Sequence, residues 1–219
     1  MSAVGLANRG GNSLRLVGHE RAMEIDDSVL WSRAQTGDRD AFGALFERHA
    51  PTIYNYCFRR VGNWATAEDL LSIVFLEAWR RLDKQLPSGK ELPWLLGIAT
   101  NVVRNCRRSE RRYAAALRRV PEPRAEPSFA EESDERIDDE ELMGRALALL
   151  ARLPRREQDV FALCAWSGLS YEDAAIALRI PVGTVRSRLS RARTRLLELD
   201  LGNGHERETM QTIEGAVER

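Results

Sequence analysis

The stretch SYEDAAIALRIPVGTVRSRLSRARTRL, Ser170–Leu196, decides how the chain is read. After Leu178 it holds six arginines and no acid, with valine, leucine and alanine kept at helical spacing among them. Tyr171–Leu178 reads as one helix, Arg179-Ile180-Pro181 as a turn, and the residues after it as a second helix, with Pro181 suited to a first-turn or pre-helix position. At 100° per residue, Val182, Val185, Leu189, Ala192 and Leu196 fall within about 80° of one another and form a core face. Opposite them stand Gly183, Ser187, Ser190, Arg191 and Thr194. Thr184, Arg188 and Arg195 form one flank, and Arg186 and Arg193 the other. A face small and polar at its centre and cationic at its edges suits a helix entering the major groove. Small residues allow close approach, and arginines read guanine edges and hold phosphates. Two helices joined by a short turn, the second one basic, make a helix-turn-helix. With no acid in the segment, its arginines are expected to lack partners within the protein. Arg179 occupies a turn position where glycine is common.

The 219 residues carry zero net charge, but the charge is segregated. Arg104–Arg119 holds seven arginines and one glutamate, and Glu122–Glu141 holds ten acids and two arginines. Two basic blocks flanking an acidic one predict two anion-binding surfaces on either side of a solvated spacer. Cys57, Cys106 and Cys164 are odd in number and far apart, so neither a disulfide framework nor a zinc site is expected. No apolar run reaches the ~18 residues of a membrane span. The first 24 residues lack the apolar stretch of a signal peptide. The expected location is the cytoplasm, with no membrane association, no cofactor and no metal.

Apolar periodicity is helical nearly throughout, which predicts an all-α chain. A stripe of Phe42, Leu45, Phe46, His49, Ile53, Tyr56 and Cys57 is interrupted by Pro51, where a kink or restart is expected. Gly62-Asn63 ends that helix. The next starts near Thr66 and presents Leu70, Ile73, Val74, Glu77 and Trp79. Leu82–Pro93 reads as a loop, and a further helix runs from near Trp94 into the arginine block. Pro121, Pro123 and Pro127 precede the acidic run and mark a linker. A second helical unit runs from near Asp139 to Leu199. The boundaries expected are a flexible extension 1–26, a first helical domain 27–116, a flexible acidic linker 117–138, a helix-turn-helix domain 139–199 and a tail 200–219.

On these residues the chain resembles the sigma-70 family, extracytoplasmic function group. LPRREQDVF (Leu153–Phe161), Gly-Leu-Ser-Tyr-Glu-Asp (Gly168–Asp173) and Pro-Val-Gly-Thr-Val-Arg-Ser-Arg-Leu (Pro181–Leu189) look like the family's fourth domain. AFGALFERHAPTIYNYCFRRVGN, AEDLLSIVFLEAWRRLD and WLLGIATNVVRNCRRSERR look like its second domain, in the expected order. The resemblance implies a non-enzymatic specificity subunit of bacterial RNA polymerase. Its implied partners are the core enzyme, through the largest subunit's coiled coil and the flap, and promoter DNA. An anti-sigma factor could cover the polymerase-binding faces of both domains.

The resemblance also implies site residues. On the helix Ala67–Arg81, Glu68, Asp69, Ser72, Ile73, Glu77 and Arg80 would meet the core enzyme, with Ser72-Ile73 replacing the family's usual polar pair. Leu70, Val74 and Phe75 are expected in the core. On Trp94–Arg112, Asn101 and Asn105 would read −10 bases. Arg104, Arg107, Arg108, Arg111 and Arg112 would hold phosphates, and loop Lys84–Leu92 could frame a flipped base. Trp94 is expected in the core. For the −35 element the matching residues are Tyr171, Glu172, Pro181, Gly183, Thr184, Arg186, Ser187, Ser190 and Arg191. Cys164 replaces a residue that is often basic. Within the family the acidic linker threads the polymerase's RNA exit path, while its composition alone fits a plain tether equally well. The competing reading is a helix-turn-helix regulator acting without polymerase, which would leave Ala65–Arg112 as scaffold.

Overall fold

The computed structural model describes residues 25–83, 86, 88–117 and 134–202. Residues 1–24 of the expected extension 1–26, the proline-rich start of the linker, Lys84, Gln85 and Pro87 of the loop, and the tail beyond 202 lie outside the described residues. Every regular element among the described residues is helical.

The N-terminal unit contains α1 (Asp27–Gln35), α2 (Arg39–Val61), α3 (Trp64–Trp79) and α4 (Glu91–Leu117). Side chains cap the first three. The Asp26 carboxylate accepts from the Ser28 amide at 2.8 Å, Asp38 from Ala41 at 3.0 Å, and the Asn63 side-chain oxygen from Thr66 at 2.9 Å. The Asn63 cap starts α3 at Trp64, two residues before the expected Thr66. Pro51 does not restart α2, which continues through it from Arg39 to Val61. Buried His49 and Ile53 on either side hold the segment against its neighbours. Gly62 ends α2 in the left-handed conformation (φ 72°), its amide donating to the Phe58 carbonyl. α4 begins at Glu91, so Pro93 belongs to its first turn and not to the loop. There its missing N–H costs no helical bond.

The C-terminal unit contains α5 (Asp134–Ala151), α6 (Arg155–Phe161), a π-helical turn (Ala162–Trp166), α7 (Tyr171–Leu178) and α8 (Val182–Gly202). α5 starts at Asp134, before the expected Asp139. Ser170 caps α7 by accepting from the Asp173 amide at 3.0 Å. Arg179 closes α7 in the left-handed region (φ 53°), the conformation that favours glycine there. On α8 the expected core face is buried at Val185, Leu189, Ala192 and Leu196, with Val182 packed at its edge.

The two units share one core. A single apolar cluster runs from Ile53 on α2 through Leu96 and Val103 on α4 to Val160, Ala174 and Leu196. α4 lies against α7 so closely that a Cβ on Gly97 would stand 2.6 Å from the Ala177 carbonyl oxygen. A smaller cluster of Leu30, Trp31, Ala34, Ala41 and Leu45 fixes α1 on α2. Leu70, Val74 and Phe75 are buried as expected. Trp94 packs edge-on against Trp31 with ring centroids 4.9 Å apart, a core role.

Candidate nucleic-acid interface

Burial of α8's apolar side turns its polar side outward. Gly183, Arg186, Ser187, Ser190, Arg191, Arg193 and Thr194 are exposed, and Thr184 and Arg188 are half-buried. The Arg186 guanidinium lies 5.9 Å from the centre of the Tyr171 ring, which joins two of the expected −35 residues into one stacked unit. Glu172 and Pro181 are exposed beside them. Arg186, Arg188 and Arg193 have no carboxylate partner among the described residues. The expectation of wholly unpaired arginines fails at two positions. Glu157, buried at the start of α6, is 2.5 Å from Arg195 and 3.8 Å from Arg191. The partner comes from another helix of the same unit, so the charge pattern of the segment alone could not show it. Half-buried Cys164 sits in the π-helical turn, and burial pushes its thiol up to about 11.

The expected −10 residues divide by helix face. Asn101 and Asn105 are exposed and line an open groove of about 630 Å³ between α3 and α4. Asp69, Ile73 and Glu77, expected to meet the core enzyme, line the same groove. Cys106 lies there too, its thiol pushed up to about 11 by burial and by the neighbouring Glu110. Arg108, Arg111 and Arg112 are exposed. Arg104 and Arg107 are turned the other way, into the C-terminal unit. Arg104 donates to the Asp159 carboxylate from Nε at 2.9 Å and from an Nη at 2.7 Å. Arg107 donates to the Gln158 side chain at 3.3 Å and to the Arg60 carbonyl. Burial, and then the Arg60 charge, lower its pKa. In this arrangement both grip protein, not phosphate.

On α3, Glu68, Asp69, Ser72, Ile73 and Arg80 are exposed. Glu77 is half-buried and pairs within its own helix, with Arg80 at 3.3 Å and Arg81 at 2.6 Å. Ile73 (44 % exposed) and Leu76 (49 %) leave apolar surface on this helix, and Phe46 and Trp79 are exposed as well.

The residues that sequence reasoning missed are those joining the units. Arg60, 2 % exposed, donates to Asp159 at 2.8 Å and to the Gln158 carbonyl at 3.1 Å. Arg59 donates to the Trp166 carbonyl at 2.8 Å, and Lys90 pairs with Asp173 at 2.7 Å. Burial works against the Asp173 charge, but the hydrogen bonds from Lys90 and Ser170 outweigh it and leave the carboxyl below its usual range. The one available signal is Asp159 itself, an acid directly before the apolar run Val160–Cys164. Among the described residues no group of three or more His, Cys, Asp or Glu side chains is placed to hold a metal ion, and no helix is long and apolar enough to cross a membrane.

An all-helical chain that presents a basic helix-turn-helix on one unit and an arginine-bearing helix on another defines a two-part DNA-binding protein. Residues 45–113 match the model of Sigma-70 region 2, and residues 143–196 that of Sigma-70 region 4. The chain is 34 % identical over 167 residues to RNA polymerase sigma factor CarQ of Myxococcus xanthus, covering 76 % of this chain and 93 % of that one. It is 31 % identical over 182 residues to the ECF RNA polymerase sigma-E factor of Escherichia coli (strain K12), covering 78 % and 92 %. Its fold is similar to the sigma factor RpoE of Bartonella quintana solved with the anti-sigma factor NepR. That match has a TM-score of 0.54 and 26 % identity over 72 % of this chain and 95 % of that one. The chain belongs to the extracytoplasmic function group of the sigma-70 family. It is a sigma factor, which binds core RNA polymerase and directs promoter-specific transcription.

Proposed function

We propose the following division of labour. α8 reads the −35 element: Arg186, stacked on Tyr171, and Arg191 contact bases or phosphates. Gly183, Thr184, Ser187 and Ser190 admit the groove edge, with Glu172 and Pro181 at its margin. α4 reads the −10 element with Asn101 and Asn105, and Arg104, Arg107, Arg108, Arg111 and Arg112 hold the melted strand's phosphates. α3 docks on the coiled coil of the largest subunit through Glu68, Asp69, Ser72, Ile73, Glu77 and Arg80. The flap meets the C-terminal unit. The units act as separate domains within the boundaries 27–116 and 139–199. The protein works in the cytoplasm without catalysis of its own, and an anti-sigma factor covers its polymerase-binding faces.

The observation that carries this reading is the exposed, cationic outer face of α8, whose apolar side is sealed in the core. A regulator acting without polymerase would have no use for the apolar surface at Ile73 and Leu76. The test is transcription by bacterial core polymerase stripped of sigma, from a pooled library of promoter fragments. Discrete run-off transcripts that require the chain and fade in Arg186→Ala, Arg191→Ala support the reading. Absence of both transcripts and binding to core overturns it.

A further inference from the structure

The closed packing of the two units poses a geometric conflict with the proposed function. Elements centred about 25 base pairs apart lie ~85 Å apart along duplex DNA at 3.4 Å per pair. A compact chain of this length has a radius of gyration of only about 17 Å. Both elements cannot be engaged while Gly97 touches Ala177. What holds the units together therefore controls when α4 can work.

The contact is built around one acid. Asp159 is 2 % exposed, and its two oxygens accept from Arg60 at 2.8 Å and from the Arg104 fork at 2.9 and 2.7 Å. Beside it Arg107 is taken up by Gln158 and the Arg60 carbonyl. The arrangement opens into a cavity of about 430 Å³ whose other walls include Arg108, Arg111, Arg155 and Arg156. A carboxylate gripped by several guanidinium groups matches the way a phosphate is gripped. Arg60 adds a second observation. Among the described residues its side-chain hydrogen bonds run only to Gln158 and Asp159 of the C-terminal unit, and within its own unit it lies against the Tyr56 ring. When the C-terminal unit departs, Arg60 loses its counter-charge and stands on the same side as Arg104 and Arg107.

We propose that Asp159 occupies a phosphate seat on the N-terminal unit formed by Arg60, Arg104 and Arg107, so that the closed chain masks its own strand-binding surface and Arg60 becomes a further DNA-phosphate ligand on opening. α8's outer face stays exposed throughout, so the masking falls on the −10 function and spares the −35 one. This inference rests on the proposed role of α4.

The test is binding of a fluorescein-labelled, mixed-sequence single-stranded 20-mer to the full chain, titrated over a range of salt. Two variants open the seat by different routes. Asp159→Asn removes the competing charge, and Gly97→Ala wedges the units apart without touching any arginine. Both are expected to bind the strand at least tenfold more tightly than the parent. The slope of log affinity on log salt should steepen by about 2, because each further phosphate neutralised on a single strand adds about 0.7. Adding Arg60→Gln to Asp159→Asn should remove about 0.7 of that slope. A merely structural ion pair would change stability and leave the slope alone. Small-angle scattering reports whether the units separate, and capture of core polymerase is scored in parallel.

Separation with unchanged affinity and slope overturns the seat. An unchanged slope on adding Arg60→Gln overturns the role of Arg60. Failure of both variants to separate the units overturns the lock. Loss of core capture by the parent chain would instead sink the sigma-factor reading of α3 and α4, whereas retained capture confines any failure to the lock.

Discussion

Gly97→Ala is the most discriminating single change in the molecule. Gly97 is a buried position inside α4, in its second turn, where alanine in place of glycine favours the isolated helix by about 1 kcal/mol. The atoms nearest the added methyl are backbone atoms of Ala177 on α7, whose carbonyl oxygen would be 2.6 Å away. To reach ordinary contact at 3.4 Å, a backbone must retreat by about 0.8 Å, since no flexible side chain is present to yield. Overpacking of this kind costs roughly 1–3 kcal/mol. The cost falls only on the closed arrangement, while the helix gain is kept in both. A penalty of about 2 kcal/mol shifts the open-to-closed ratio some thirtyfold. Small-angle scattering should show a larger radius of gyration, and thermal melting should change from one transition to two as the shared core from Ile53 to Leu196 is divided. A variant whose scattering and melting match the parent would refute the close packing of α4 on α7, and with it the masking argument.

Other outcomes follow from individual side chains. Buried Glu91 has one carboxylate oxygen without a partner, and burial holds its carboxyl above the usual range. Folding therefore favours its protonated form. That contribution is present in full below the unfolded value near pH ~4.3 and is lost as pH rises through the folded one. Glu91→Gln should stabilise the chain by about 1 kcal/mol at pH 7, with little effect at pH 4, as read by thermal melting at both pH values. Arg179→Gly should raise the melting midpoint by relieving about 1 kcal/mol of left-handed backbone cost, and a lower midpoint would contradict the turn geometry. Ile73→Asp should leave melting unchanged, since the side chain is 44 % exposed, yet weaken capture of core polymerase at least tenfold.

The helices were legible because their signals are local. Val182, Val185, Leu189, Ala192 and Leu196 define the buried side of α8 through periodicity alone, and the Gly62 cap follows from its position after a long apolar stripe. α3 starts ahead of Thr66 because Asn63 acts twice, following the Gly62 stop of one helix and capping the next. Pro51 signals a break that does not occur, because a proline removes one bond from a helix that tertiary packing on both sides still holds. The partners of the arginines were not legible at all. Arg104 meets Asp159 55 residues away and Arg195 meets Glu157 38 residues away, and no window of sequence contains both members of either pair.

That failure says something about the molecule. Arginines carried without local acids meet different fates in the two units. On α8 the acid Glu157 restrains Arg191 and Arg195, while Arg186, Arg188 and Arg193 have no carboxylate partner among the described residues, so the helix remains presentable to DNA as it stands. On α4 the acid Asp159 belongs to the other unit and takes Arg104 together with Arg60. A buried ion pair adds little net stability, because desolvation offsets most of its attraction, but removing one partner leaves the other charge stranded. Such a contact is poorly suited to holding a fold and well suited to a competition: a stranded arginine cluster is relieved equally by a carboxylate or by a strand of phosphates. The placement of Asp159 therefore makes docking of the C-terminal unit and arrival of DNA alternative ways of satisfying the same guanidinium groups.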